Sequence, residues 1–242
     1  MPDPSKHPLP ARIEQRINVQ LSVAHRMRET PASVPHAPFV TISRQYGCQA
    51  MELAEVLAHR LAALERLPED QWQVYSRKII EDISGEVRLS GRILEALDVR
   101  ARSGLEEFFQ TLVGQAPPDI EVLHHLVQTV RALAMHGRCV LVGRGGAILT
   151  GGLPGGIHIR LVAPEPWRLR SLVNRFGWDE NKARTFLRQE EDHRHSFFEK
   201  YLGRDVNDPG HYDLILNVAR LHRDEQAEAV IGLFRQRFSH VA

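Results

Sequence analysis

The chain has 242 residues, 43% hydrophobic and 25% charged, which suits one α/β domain with insertions or two small domains and supplies enough apolar material for a substantial core. A formal net charge of +1 excludes a global field that would draw nucleic acid or a membrane. Two cysteines do not make a disulfide framework, and no apolar span of about 18 residues or signal-peptide core is seen, so a cytoplasmic setting is expected.

Residues 1–38 carry many prolines, scattered charge and little sustained period. They read as a largely flexible N-terminal extension, with an amphipathic turn or two around Ile13–Val23, open both to packing on a protein partner and to simple disorder. Residues 39–242 read as the compact domain. Val40, Thr41 and Ile42 form a β-prone run bounded by Pro38 and Gly47, as expected of a buried parallel strand. Leu53, Leu57, Leu61 and Leu64 then recur at helical spacing, predicting a helix over Met51–Leu67. "WQVYS" predicts a strand and "RKIIEDISGEV" a helix, and a glycine-interrupted helical pattern runs on from Leu89 to Ala116.

Asp119 is placed to cap a helix through "EVLHHLVQTVRALAMHG", closed by Gly137. "CVLVG" is the clearest buried strand and runs straight into "RGGAILTGG". "GIHIRLVA" is a further strand, "EPWRLRSLVNRFG" a helix, and Asp179 caps another helix through about Tyr201. "YDLILNV" and "DEQAEAVIGLFRQRF" supply a last strand and helix. Strands alternating with helices, several as all-apolar runs, predict a parallel sheet covered on both faces.

In such a sheet ligands bind beyond the carboxyl ends of the strands. Two loops there, "SRQYGCQAM" and "GRGGAILTGG", pair small residues with an arginine, Arg44 and Arg144. Helix N-termini attract anions and an arginine adds forked donors, so this is a phosphate-site pattern. A tight strand-to-helix turn at Gly145 and Gly146 explains the glycines equally well. In "NKARTFLRQEEDHRHSFFEKYLGRD", Arg184, Arg188 and Glu191 share a helical face with Arg194 close by. Spacing alone leaves a cationic lid and a solvated, ion-paired helix both open.

Four stretches carry a resemblance: "ISRQYG", "YSRKIIEDIS", "VLVGRGGAIL" and "EEDHRHSFFEKYLGRDVNDPGHYDLILNVARL". The chain resembles the cytidylate kinase-like family, P-loop relatives of nucleoside monophosphate kinases, from about Phe39 to Leu221. The resemblance implies a P-loop three-layer α/β/α fold with a helical lid and an acceptor-binding insertion. It implies transfer of the ATP γ-phosphoryl to a nucleoside monophosphate such as CMP, with Mg²⁺ on the phosphates. Ser43, Arg44 and Gly47 match the phosphate-loop opening, Arg144 and Gly145 the acceptor-binding Gly-Arg loop, and Arg188 and Arg194 the lid arginines.

Where the family continues Ser-Gly-Gly-Arg-Glu, this chain reads Cys48-Gln49-Ala50-Met51-Glu52, without the two glycines, the cation or a Walker-type Ser/Thr. Ser76 stands where the family tends to have aspartate. Arg44 is the candidate substitute for the missing cation. Cys48, at a helix start, is expected either to have a lowered pKa or to be a space-filling thiol. His124, His125, His193 and His195 lack zinc-site spacing and read as surface residues, so no protein metal site is expected. Two readings follow: an active kinase-like phosphotransferase, or a non-catalytic nucleotide-sensing or protein-interaction module on the same fold.

Overall fold

The computed structural model describes residues 15, 17–18, 37–85, 87–95, 97, 105, 107, 120–143, 145–197 and 203–238. Among them five strands form one sheet: β1 (Phe39–Arg44), β2 (Gln73–Ser76), β3 (Cys139–Val142), β4 (Gly156–Val162) and β5 (Leu214–Asn217). The order is β2-β3-β1-β4-β5, and every pairing is parallel. The helices are α1 (Ala50–Leu64), α2 (Arg77–Gly85), α3 (Val87–Glu95), α4 (Ile120–His136), α5 (Gly146–Leu149), α6 (Glu165–Phe176), α7 (Glu180–Phe197) and α8 (Arg223–Arg237).

Because successive strand side chains point to opposite faces, the apolar runs split into two cores. Val40, Ile42, Val140, Val142, Ile157 and Ile159 pack with Leu53, Leu57 and Leu61 of α1 and Val230 and Phe234 of α8. Phe39, Tyr75 and Leu141 pack on the other face with Ile80 and Ile83 of α2 and Leu126, Val130 and Leu133 of α4. Leu57 is fully buried, so truncation to alanine there would cost about 2–5 kcal/mol.

Helix boundaries lie within a turn or so of the expected ones, and α1 stops at Leu64 rather than Leu67. The α6 helix ends before Gly177, as expected. Asp179 Oδ1 accepts from Lys182 N at 2.9 Å, the expected cap of α7. For α8 the cap is His222, in a capping box with Glu225. Asp119 and residues 198–202, at the expected ends of α4 and α7, lie outside the described residues, as does most of the stretch from Leu97 to Ala116.

Within the segment read as a flexible extension, Ile17 is helical and 1% exposed among the residues of the second core. At this position the extension packs on the domain. Among the described residues no helix is long and apolar enough to cross a membrane. The two neighbours of β1, β3 and β4, lie on opposite sides of it. This puts the crevice of the sheet at its carboxyl end, where Gln45–Gln49 leads into α1.

Candidate functional site

The loop after β1 is held by hydrogen bonds to the end of β4, to α6 and to α8. Gln45 N donates to Leu161 O at 3.0 Å, and Gln45 Oε1 accepts from Ala163 N at 3.0 Å, anchoring the loop to the end of β4. Ser171 of α6 donates its hydroxyl to Gly47 O at 2.9 Å and accepts from Gln49 Nε2 at 3.0 Å. Arg223 of α8 donates to Gln49 Oε1 at 3.1 Å. These bonds hold Gln49 at φ 50°, ψ 43°, a left-handed conformation that costs a side-chain-bearing residue about 1–2 kcal/mol. Gly47 is needed at its own position: at φ +90° it lies so near α6 that a Cβ would stand 3.0 Å from the Arg168 carbonyl oxygen.

No side-chain cap closes the start of α1, so the helix opens with its amide donors and positive dipole end at the loop. A cavity of about 190 Å³ lies there, walled by Gly47–Met51 together with Arg44, Tyr46, Arg175 and Phe176. Arg44 extends across the backbone of Gly143, at the carboxyl end of β3, so closely that a Cβ at 143 would overlap its Nη1.

Helix α7 packs against the loop. Arg194 donates to the Arg44 carbonyl. Arg168, 7% exposed, donates to Ala163 O at 3.0 Å, to Tyr46 O at 3.3 Å and to the Glu191 carboxylate. Glu190 pairs with Arg77 of α2 at 3.7 Å, so α7 is fastened on two sides. The Tyr46 ring lies 5.6 Å from Phe186, which meets Trp178 at 5.0 Å, and Trp178 stacks on Phe176 at 4.6 Å. Arg160 of β4 donates to Val206 O at 2.7 Å and Asn207 Oδ1 at 2.6 Å, pinning the chain that returns to β5.

The electrostatics follow from crowding. Burial pushes the Arg194 guanidinium down to about 10, and the Arg44 and Arg160 charges push the same way against Glu191 and Glu190. A desolvated cation beside like charges is stabilised by any anion that enters. Burial also raises the Tyr46 phenol, with Glu190 adding and Arg175, Arg44 and Arg194 opposing.

With this geometry in hand, the chain matches the cytidylate kinase-like sequence profile over residues 39–220. It belongs to that family. A structure from Eubacterium ventriosum, titled only as an uncharacterized protein, superposes with a TM-score of 0.64 at 16% identity, covering 83% of this chain and 99% of that one. Shikimate kinase from Bacteroides thetaiotaomicron gives a TM-score of 0.43 at 12% identity over 82% of this chain and 96% of its own. Over 103 residues, 41% of this chain, there is 26% identity to uronate isomerase from Corynebacterium glutamicum. That match covers 19% of the isomerase, so the chain spans about a fifth of the length of that relative.

For a cytidylate kinase-like chain the expected site residues fall in different places. Arg44 and Gly47 line the loop cavity, and Ser43 sits one residue back, buried in the ladder opposite Arg160. Arg194 reaches the loop. Arg188, six residues earlier on α7, points about 120° away at about 100° per residue and is exposed. Gly145, at φ +71°, makes the turn from β3 into α5, and Arg144 lies outside the described residues. Arg184 pairs with Glu165 at 3.0 Å and Glu180 at 2.8 Å, the solvated ion-pair arrangement.

The expectation of a lowered Cys48 pKa is corrected. The thiol is 2% exposed, and burial pushes it up to about 11 despite Arg168 and Arg194 nearby. Sequence reasoning missed Arg160, Arg168 and Arg175. The signal for Arg160 was an arginine inside the apolar run "GIHIRLV"; a charge at a buried strand position must have partners.

The phosphate groups of a nucleotide fit this site: amide donors at a helix start, Arg44 in the cavity wall and a desolvated Arg194 on the loop. Among the described residues no group of three or more His, Cys, Asp or Glu side chains could hold a metal.

Proposed function

We propose that the chain is a nucleoside monophosphate kinase-like phosphotransferase that binds ATP at the β1–α1 loop and passes its γ-phosphoryl to a (d)CMP-like acceptor. One observation carries the reading. The loop holds Gln49, where the resemblance has glycine, in a left-handed turn, with Arg44 lining the cavity beside it and Arg194 bonded to the Arg44 carbonyl at the end of β1. A lapsed loop has no physical reason to hold a strained turn with three side-chain hydrogen bonds, Ser171 to Gly47 O, Gln49 to Ser171 and Arg223 to Gln49.

ATP, brought in with Mg²⁺ on its phosphates, supplies the phosphoryl group; the chain's own work is positioning and charge neutralisation. The start of α1 and Arg44 hold the phosphates. Arg194, bonded to the Arg44 carbonyl and desolvated among Arg44, Arg160, Glu191 and Glu190, is the arginine that would meet the negative charge gathering during transfer. The Tyr46–Phe186–Trp178 contacts hold α7 over the loop and keep out water, the competing acceptor. Such chemistry belongs with the cytoplasmic nucleotide pool.

The non-catalytic reading has one observation in its favour: Met51, at the position of the loop cation, is partly buried against the first core. Calorimetric titration with ATP, with and without Mg²⁺, followed by a phosphotransfer assay over the monophosphates, separates the two. Micromolar binding lost in Arg44→Ala, with turnover on CMP, supports the kinase. Binding without turnover on any acceptor leaves a nucleotide sensor, and no heat at millimolar ATP ends both nucleotide readings.

A further inference from the structure

Where the resemblance has a basic residue the loop of this chain has Met51, which lines the cavity and is partly buried against the first core. We propose that Arg175, at the end of α6, supplies the phosphate-binding cation that the loop itself lacks, reaching it from across the cavity. The inference rests on phosphate binding at the β1–α1 loop.

Arg175 walls the same cavity as the loop backbone, with Arg44 as its other cation, and no carboxylate is among the described residues that line it. Its Nη1 donates to Glu52 Oε1 at 3.0 Å, and Glu52 stands in the first turn of α1, next to Met51. That bond ties the guanidinium to the helix start where the phosphates would lie. A guanidinium has five N–H donors in a rigid fork, so a bond to Glu52 leaves others to turn toward a second anion. Its Cζ also lies 5.5 Å from the centre of the Phe176 ring, which steadies the side chain at the rim. With a side chain 46% exposed, Arg175 is not held there by the needs of the core. On this reading the cation stands on a helix that packs beside the loop and lines the same cavity as Arg44.

The test is calorimetric titration of the full chain with inorganic tripolyphosphate and with ATP. It compares the natural sequence with Arg175→Ala, Arg175→Lys, and Arg175→Ala combined with Met51→Arg, following melting temperature for each. Arg175→Ala should bind both ligands roughly ten- to hundredfold more weakly. Met51→Arg in that background should restore most of the loss, because it returns a cation to the loop. Should Met51→Arg unfold the chain, Arg175→Lys against Arg175→Gln decides: lysine should stay within a few-fold of the natural chain and glutamine should not.

If the natural chain binds and Arg175→Ala binds equally well, Arg175 has no such role, while the phosphate loop stands. If Arg175→Ala is weak and a folded Met51→Arg does not rescue it, Arg175 acts through the packing of α6, and the replacement is refuted. If the natural chain binds neither ligand, the inference falls together with the reading it rests on.

Discussion

Gly143→Ala probes how the site is assembled. Gly143 leaves β3 at φ +104°, with its amide donating to Ile42 O at 3.0 Å, so the backbone is held in a conformation that alanine adopts only with strain. That strain is about 1–3 kcal/mol, or a fall in Tm of roughly 2–12 °C for a domain of this size. The new Cβ would also overlap Arg44 Nη1 and stand 3.2 Å from Cζ, and since the guanidinium is the movable partner, Arg44 must swing away. Loss of a charged donor to phosphate is worth about 1.5–3 kcal/mol, so ATP should bind at least about tenfold more weakly, beside a stability change read separately by urea denaturation. The two effects part in a cycle with Arg44→Ala. Without the guanidinium there is nothing for the Cβ to displace, so Gly143→Ala should then reduce stability but not affinity. Equal affinity for Gly143→Ala and the natural chain, with Arg44→Ala weak, would refute the idea that Gly143 seats Arg44. So would affinity losses that simply add.

Three further outcomes follow from the same geometry. Gln49→Ala keeps the left-handed strain and loses the bonds to Ser171 and Arg223, whereas Gln49→Gly loses the bonds and the strain; urea midpoints should place the alanine variant about 1 kcal/mol below the glycine variant. Burial holds the His158 imidazole below its ordinary 6.5, with Asp213 opposing and Arg237 adding. The unfolded chain therefore takes up that proton where the fold resists it, so this contribution is present above about pH 6.5 and is lost below it. His158→Gln should flatten the fall in urea midpoint between about pH 7.5 and 5.5, and an unchanged slope would show that His158 is not the group responsible. Cys48, with its thiol raised to about 11 and 2% exposed, should resist alkylation near pH 8 in the native chain and react only on unfolding; rapid native labelling would contradict the burial described for it.

The sequence by itself carried the sheet, the helices around it and the place of the loop that joins β1 to α1. Those features are written in local periodicity, all-apolar runs for β1 and β3 and an i, i+4 leucine stripe for α1, and local periodicity depends only on neighbouring residues. The family resemblance likewise rested on contiguous stretches. Which cations meet at the loop was not local. Arg194 reaches Arg44 across 150 residues, and Ser171 reaches Gly47 across 124. Arg188 and Arg194 look alike in a string, yet the docking of α7 through Glu190 and Glu191 turns one toward the loop and leaves the other in solvent. The Cys48 thiol shows the same limit. A helix start in isolation lowers a thiol pKa, but in the folded chain burial of Cys48 outweighs even the nearby Arg168 and Arg194 charges. Side-chain chemistry at this site is set by what tertiary packing brings near and keeps dry, and neither quantity is a property of any short stretch of chain.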